Sequence, residues 1–481
     1  MAHNHEDQID GHSPGYEEMA ESWRLLHDLM GGTRAMRAAR SRWLPMEPKE
    51  HDTQYERRLA RSFLFNGFKD TVRKISSRPF MKPVQIEGGE GLDSQLAELE
   101  TDVDGTGKDL TQFCRDGMRS GVLYGLGHIL IDFPQTRGDE TRQEELDSGA
   151  RPKLVFIQPP DLWGWQTLDG ELLQIRIHEQ RAIPAPPYGT EMVDFIRVFT
   201  PEAWQLWLKK ENDEQYSLVE EGTHTFGAVP LVSYYFDQSG EMQAEPPLED
   251  LAFMNLAHWQ SLSDQRNILR FGRMGILCAT GLKEEEKRKV EAFGPSSFIS
   301  STNDKANVFY AEHSGKAIAA GEADLEKLEK RMESLGMAPF LDRATHSTAT
   351  GISTNEAKGN SDMKAWIRAL ENGVEHAYEF AARWIGQEIP EEFSINISEN
   401  FELQNRPVTD LDLLQKVRAQ GDIPQETLIA EMQRRGVLSD SLTPEEIQEK
   451  LREEGPPLGL IGVQEEEEEE EKPEPKAANF A

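Results

Sequence analysis

Apolar positions keep helical spacing longest between residues 322 and 387. In EADLEKLEKRMESLG, Leu325, Leu328, Met332 and Leu335 recur every three or four residues, which is one face of a helix. A second run from about Asn355 carries Met363, Trp366, Ile367, Leu370, Val374, Ala377, Tyr378, Ala381, Trp384 and Ile385. At roughly thirty residues it predicts a helix about 45 Å long, more than a small core requires. Its stripe belongs in a core or a subunit contact and not at a cofactor. Between the two runs lies PFLDRATHSTATGIST, a polar loop punctuated by Pro339 and Gly351, in which Arg343 and His346 stand among Ser and Thr.

The rest of the chain divides by the same reading. The polar, acidic start predicts a disordered tail over 1–20 and is not a secretory signal. Trp23, Leu26, Leu29 and Met30 predict a short helix over 21–36, closed by Gly31-Gly32. A further helix from about Asp52 takes in Tyr55, Leu59, Phe63, Phe65, Phe68, Val72 and Ile75. Its basic first half (Arg57, Arg58, Arg61) reads as a solvated face or a subunit contact rather than a nucleic-acid patch.

Residues 121–240 show short apolar or alternating runs broken by Pro, Gly and Asp, the mark of strands, with an exposed loop over 135–152. After Pro246-Pro247 comes a helical stretch, LEDLAFMNLAHWQSLSDQRNILRFG. It is followed by a compact insert over 273–321 with strands at MGILCAT and NVFYAE. Beyond a strand at SINIS, helices are expected over 410–420, 424–435 and 444–454, and then a low-complexity tail.

Composition narrows the function classes. The chain has 481 residues, room for several cores, and its 37% hydrophobic content is lean enough to leave much surface for linkers or subunit contacts. The most apolar run, GVLYGLGHILIDF, is too short to span a bilayer. Cys114 and Cys278 fit a reducing compartment and supply neither a disulfide framework nor a zinc site. The formal net charge is −34; eight Glu and two Lys in residues 463–481 contribute −6, which leaves −28 elsewhere. Phosphate-gripping proteins carry the opposite sign. The charge fits either an ordinary solvated surface or one that lets a polyanion pass without sticking.

Catalytic motifs fail on inspection. A calcium loop starting at Asp102 would put Phe113 where the bidentate carboxylate belongs. Gly107-Lys108 is followed by Asp109 and Gly315-Lys316 by Ala317, so neither is a phosphate loop. The 100–112 stretch reads instead as a turn and cap before a helix over 110–120. His178-Glu179 lacks a second histidine, and no Gly-x-Ser-x-Gly elbow occurs. His128 and His178 are scattered singly and take structural roles.

In order along the chain stand YERRLARSFLFNGFKDTVRKISSRPFMKP, DGTGKDLTQFCRDGMRSGVLYGLGHILIDFP, PPLEDLAFMNLAHWQSLSDQRNILRFGRMGILCATG, ATHSTATGISTNEAKGNSDMKAWIRALENGVEHA and GDIPQETLIAEM. Taken jointly, over about residues 20–454, they resemble the portal proteins of tailed bacteriophages, specifically a portal-like group long known only as a phage domain of unknown function. The resemblance implies an α+β fold. It comprises a mixed wing over 21–247, a stem helix over 248–272, a small α/β clip over 273–321 and a second stem helix over 322–338. A tunnel loop over 339–355, a long wing helix and strand over 356–398, a helical crown over 399–454 and an acidic disordered tail over 455–481 complete it.

What the resemblance implies for function is a homo-oligomeric ring, typically a dodecamer, at the capsid portal vertex of the virion, assembled in the host cytoplasm. Double-stranded DNA would pass through its channel during packaging and ejection. Terminase, the major capsid protein, scaffold and a head-completion adaptor would be its partners, and no membrane. In the tunnel loop, Arg343 can pair with a phosphate, while His346, Ser347, Thr348 and Thr350 offer weaker hydrogen bonds. Arg343 pairing with a neighbouring subunit's carboxylate is the competing role. No cofactor, metal or catalytic residue is expected, and the motor would be a separate ATPase. The alternatives are another phage head-assembly protein or a metal-dependent phage nuclease built from scattered carboxylates.

Overall fold

The structure, a computed structural model, describes residues 8–133, 150–210, 213–224, 226–274, 276–281, 303, 305–311, 316–336, 349–399, 409–420, 423–434, 438, 446–447 and 450. It divides into two units, residues 1–399 and 400–481. In the first unit helix α1 (Pro14–Ala38) starts well before Glu21, inside the stretch expected to be a tail. Its N-terminal end is stapled to the sheet by polar groups: Ser13 N–H donates to the Trp163 carbonyl at 3.0 Å, the Ser13 hydroxyl receives Trp165 N–H at 2.9 Å, and Tyr16 donates to the Pro160 carbonyl at 3.0 Å. Such pairings, between residues about 150 apart, leave no periodic trace in the sequence. The helix runs through Gly31-Gly32 with a kink at Gly32, whose φ of 71° and ψ of −158° suit glycine best.

The single helix expected from Asp52 is two, α2 (Asp52–Arg61) and α3 (Gly67–Ser77). Between them Ser62 and Leu64 are buried while Phe63 and Phe65 are exposed, so the segment alternates as extended chain does. Asn66 then caps α3 by accepting Lys69 N–H at 3.0 Å. Helix α4 (Leu110–Tyr124) is capped by Asp109, which accepts Gln112 N–H at 2.7 Å, as the turn-and-cap reading expected. It takes up GVLY, the first four residues assigned to a strand. It stops at Gly125 (φ 82°), where a side chain would collide with the Glu245 carbonyl.

The strands that follow are antiparallel wherever they pair among the described residues, so the fold is α+β. Strand β2 (Leu126–Asp132) is central, flanked by β3 (Lys153–Ile157) and β9 (Leu231–Tyr235). Strands β4 (Leu162–Leu168), β5 (Glu171–Ala185), β6 (Gly189–Phe199), β7 (Ala203–Lys209) and β8 (Ser217–Thr223) form a five-stranded meander in chain order. Leu130, Ile157 and Leu231 of the first sheet and Leu162, Ile175, Ile177 and Phe199 of the second share one core.

Helix α5 (Glu249–Met274) leads into a hairpin of β12 (Ile276–Thr280) and β13 (Asn307–Ala311), and α6 (Lys316–Leu335) returns. Helix α7 (Ala349–Ile385) is the predicted long helix, and it buries Met363, Trp366, Ile367, Leu370, Val374, Ala377, Tyr378 and Ala381. Trp366 stacks on Phe236 at 5.5 Å, and Trp384 on Phe133 and Phe226, so the two tryptophans are structural. Strand β14 (Ser394–Asn396) pairs with β1 (Gln85–Glu87) far upstream in the chain, and the short β10 (Gln238–Gly240) and β11 (Gln243–Ala244) pair with each other ahead of α5.

Two carboxylates of α7 hold β14 from the helix side: Glu375 accepts Ile395 N–H at 2.8 Å and Glu371 accepts Ile397 N–H at 2.7 Å. Burial, together with Glu399 and Glu375 nearby, pushes the Glu371 carboxyl up from 4.5 to about 7 although the Ile397 bond opposes it. Between those values the folded chain retains a proton that the unfolded chain releases. The stabilisation is therefore complete below about 4.5 and lost as pH rises through about 7. Glu371→Gln keeps the acceptor and removes the charge. After allowance for solvent screening at this half-buried site, it is expected to gain about 1 kcal/mol near pH 8 and nothing near pH 4 in denaturant titrations.

In the second unit, helices Thr409–Ala419 and Gln425–Arg434 occupy the first two helical positions expected there. Most of the third, over 444–454, and the loop over 135–152 lie largely outside the described residues.

Candidate functional site

Helix α5 has 26 residues, about 39 Å of helix, and its burial is graded along that length. Leu251, Ala252, Asn255, His258, Trp259, Ser263 and Gln265 are buried, whereas none of residues 266–270 is. The helix therefore leaves the body near Gln265 and carries the β12–β13 hairpin at its far end. Asn255 anchors the near end with both halves of its amide: Oδ1 receives Phe68 N–H at 2.9 Å and Nδ2 donates to the Phe65 carbonyl at 2.8 Å. These bonds satisfy backbone groups that the break between α2 and α3 leaves open.

Helix α6 returns antiparallel to α5. His258 Nε2 meets Glu329 at 3.2 Å, the Ser261 hydroxyl donates to Asp324 at 3.2 Å, and Gln265 Nε2 donates to the Ile318 carbonyl at 2.9 Å. Numbers rise along one helix as they fall along the other. The helix begins at Lys316, six residues before the sequence reading placed it. Gly321, which looks like a breaker, is tolerated because the Gln265 amide occupies the space a side chain would fill. Of the predicted stripe, Leu325 and Met332 are buried, but Leu335 is 40% exposed. Away from that buried stripe, Glu322, Glu326, Lys327, Lys330, Arg331 and Glu333 are exposed.

A groove of about 420 Å³ lies where α2 and the Ser62 segment meet the emerging half of α5. Arg58, Arg61, Arg266 and Arg270 line it, with Ser62, Ser263 and Asn267 between them. The four arginines are not equivalent. Arg58 is buried and bound twice to Glu50, at 3.0 and 2.8 Å, and once to the Pro45 carbonyl at 2.6 Å. That pairing holds the Glu50 carboxyl below its usual value. Arg61, Arg266 and Arg270 are exposed, and none makes a salt bridge among the described residues. Arg266 lies over the Phe63 ring at 4.7 Å.

The loop expected over 339–355 to carry the contact residues is shortened at its C-terminal end by α7, which begins at Ala349. Gly351, which looks like punctuation, lies inside this helix, and a helix absorbs one glycine for roughly 1 kcal/mol. Arg343, His346, Ser347 and Thr348 lie outside the described residues; Thr350 falls in the first turn of α7. The groove arginines come from two segments some 200 residues apart. Only Arg57, Arg58 and Arg61 stood out as a local basic cluster.

The scattered histidines are structural. His128 is fully buried, contacts Ser233 at 2.8 Å and is pushed by burial down to about 3, so it stays neutral. His178 stacks on Trp163 at 4.0 Å. No cluster of three or more metal-binding side chains and no helix long and apolar enough to cross a membrane occurs among the described residues.

No curated protein matches the chain. Among solved structures it is similar to the neck of an empty gene transfer agent particle computed with C6 symmetry. The identity is 12% and the TM-score 0.41, over 76% of this chain and 88% of that one. It is similar also to the neck of a native gene transfer agent particle computed with C12 symmetry, at 11% identity and a TM-score of 0.38, over 77% and 86%. A family model described as Domain of unknown function (DUF4055) matches residues 247–385. The matched stretch runs from just before α5 to the end of α7, and so contains the emerging hairpin, its terminal strands and the long helix.

Proposed function

We propose that the chain is a portal-type subunit of a phage-like particle, which assembles as a ring around a channel for double-stranded DNA. The observation that carries this reading is the graded burial of α5. A helix pair that is core at one end and polar at the other, tipped by a two-stranded sheet, is unstable in isolation and acquires a purpose when neighbours stand beside it. In this reading α5 and α6 form the stem and β12–β13 belongs to the clip. The polar loop expected over 339–355 would be the part that meets DNA in the channel, and the crown expected over 399–454 would come from the second unit. The net charge of −34 fits a wall that repels the polyanion it must let pass. The clip would dock terminase during packaging and a head-completion protein afterwards.

Electron microscopy of the purified chain tests this directly. End-on class averages are expected to show closed rings of about twelve subunits around a hole of roughly 20 Å or more, the width a B-form duplex needs. Monomers under concentrated or scaffold-supplemented conditions, together with magnesium-dependent nicking of plasmid DNA, would replace the portal by the nuclease.

A further inference from the structure

We infer that the arginine groove on α5 is a docking site for the acidic face of α6 from the next copy of the chain, so that each subunit's stem carries one half of a head-to-tail contact. The inference rests on the ring reading and assigns the contact to named residues.

The groove is a surface made for protein carboxylates. Arg61, Arg266 and Arg270 are exposed cations with no carboxylate partner among the described residues of a chain that is strongly acidic. Beside them Phe63 is 40% exposed and carries the Arg266 guanidinium over its ring at 4.7 Å. Arginine and aromatic side chains together are what protein interfaces are enriched in.

Charge complementarity identifies the occupant. Glu322, Glu326 and Glu333 on α6 share one helical stripe, four and eleven residues apart, and all three are exposed. The antiparallel pairing of Gln265 with Ile318 and of Ser261 with Asp324 sets Glu322 within about a turn of Arg266 along the stem. A rotation about an axis parallel to the stem keeps such levels matched, so the Glu322 end of the stripe in one copy can meet Arg266 in the groove of the next. Because groove and stripe are different surfaces, the contact is heterologous, and a heterologous contact closes into a ring when its rotation divides the circle.

Charge reversal tests the pairing. Arg266→Glu with Arg270→Glu, and separately Glu322→Arg with Glu326→Arg, are made in the full chain, and ring formation is followed by sedimentation velocity. Each double variant is expected to need a roughly tenfold or higher protein concentration to form rings, with thermal melting unchanged. Joining all four substitutions in one chain is expected to restore assembly, as is mixing the two double variants, because every junction is then complementary again. Rings that persist in both double variants, or a folded fourfold variant that does not assemble, overturn the inference while leaving the ring intact. If the arginine variant assembles normally but loses salt-dependent binding of a duplex oligonucleotide, the groove serves DNA and the inference also falls. A wild-type chain that never forms rings removes the ring reading itself.

Discussion

Replacing Trp259 with alanine is expected to destabilise the first unit by about 3–5 kcal/mol, the cost of emptying a large aromatic site in a packed interior. Trp259 is fully buried on α5, the helix that packs on α1, α2, α3 and α6. It is one position from His258 and four from Asn255, at the level where the helix is still inside the body. Its indole Nε1 makes no hydrogen bond among the described residues. The loss is therefore one of volume and contact, and Trp259→Phe, which retains most of both, is expected to cost less than half as much. Equilibrium denaturation of the two variants checks this. Equal losses would mean that the indole nitrogen carries a partner. The consequence reaches function, because the exposed half of α5 is held at its angle only by the buried half.

The sequence was most legible where burial repeats on one element. Every third or fourth residue of α7 faces one core, so Met363 to Ile385 could be read from spacing alone. It was least legible where structure rests on single polar groups reaching far along the chain. Ser13 and Tyr16 bind carbonyls and amides of residues 160–165, and nothing periodic marks that, so an ordered start looked like a tail. Asn255 accounts for the break between α2 and α3, yet it lies some 190 residues from the backbone it satisfies. Glycine misled: Gly351, read as loop punctuation, sits within α7, and Gly321, expected to close the insert, sits within α6. The groove was half visible, as Arg58 and Arg61 of the local basic cluster, because its other arginines come from α5 and only the tertiary fold joins them.

That groove also separates two roles that one residue type plays. Arg58→Met is expected to cost about 3–5 kcal/mol, because it leaves the Glu50 carboxylate and the Pro45 carbonyl without the guanidinium that binds them in a nearly closed site. The pH dependence identifies the cause. In the wild type the Arg58 hydrogen bonds hold the Glu50 carboxyl below its ordinary 4.5, so that stabilisation is present above about 4.5 and is lost as pH falls through the folded value. The gap between Arg58→Met and wild type is therefore expected to be widest near neutrality and to narrow in acid. A double change, Arg58→Met with Glu50→Gln, removes the stranded charge and is expected to recover part of the loss; a double variant no better than the single one would put the cost in packing instead. Arg266→Ala, by contrast, removes an exposed cation from the same groove and is expected to shift stability by less than about 0.5 kcal/mol. One arginine of the groove is thus a strut whose charge is already spent inside the chain. Those beside it are held out in solvent with charge to spare, and it is these that a second copy can use.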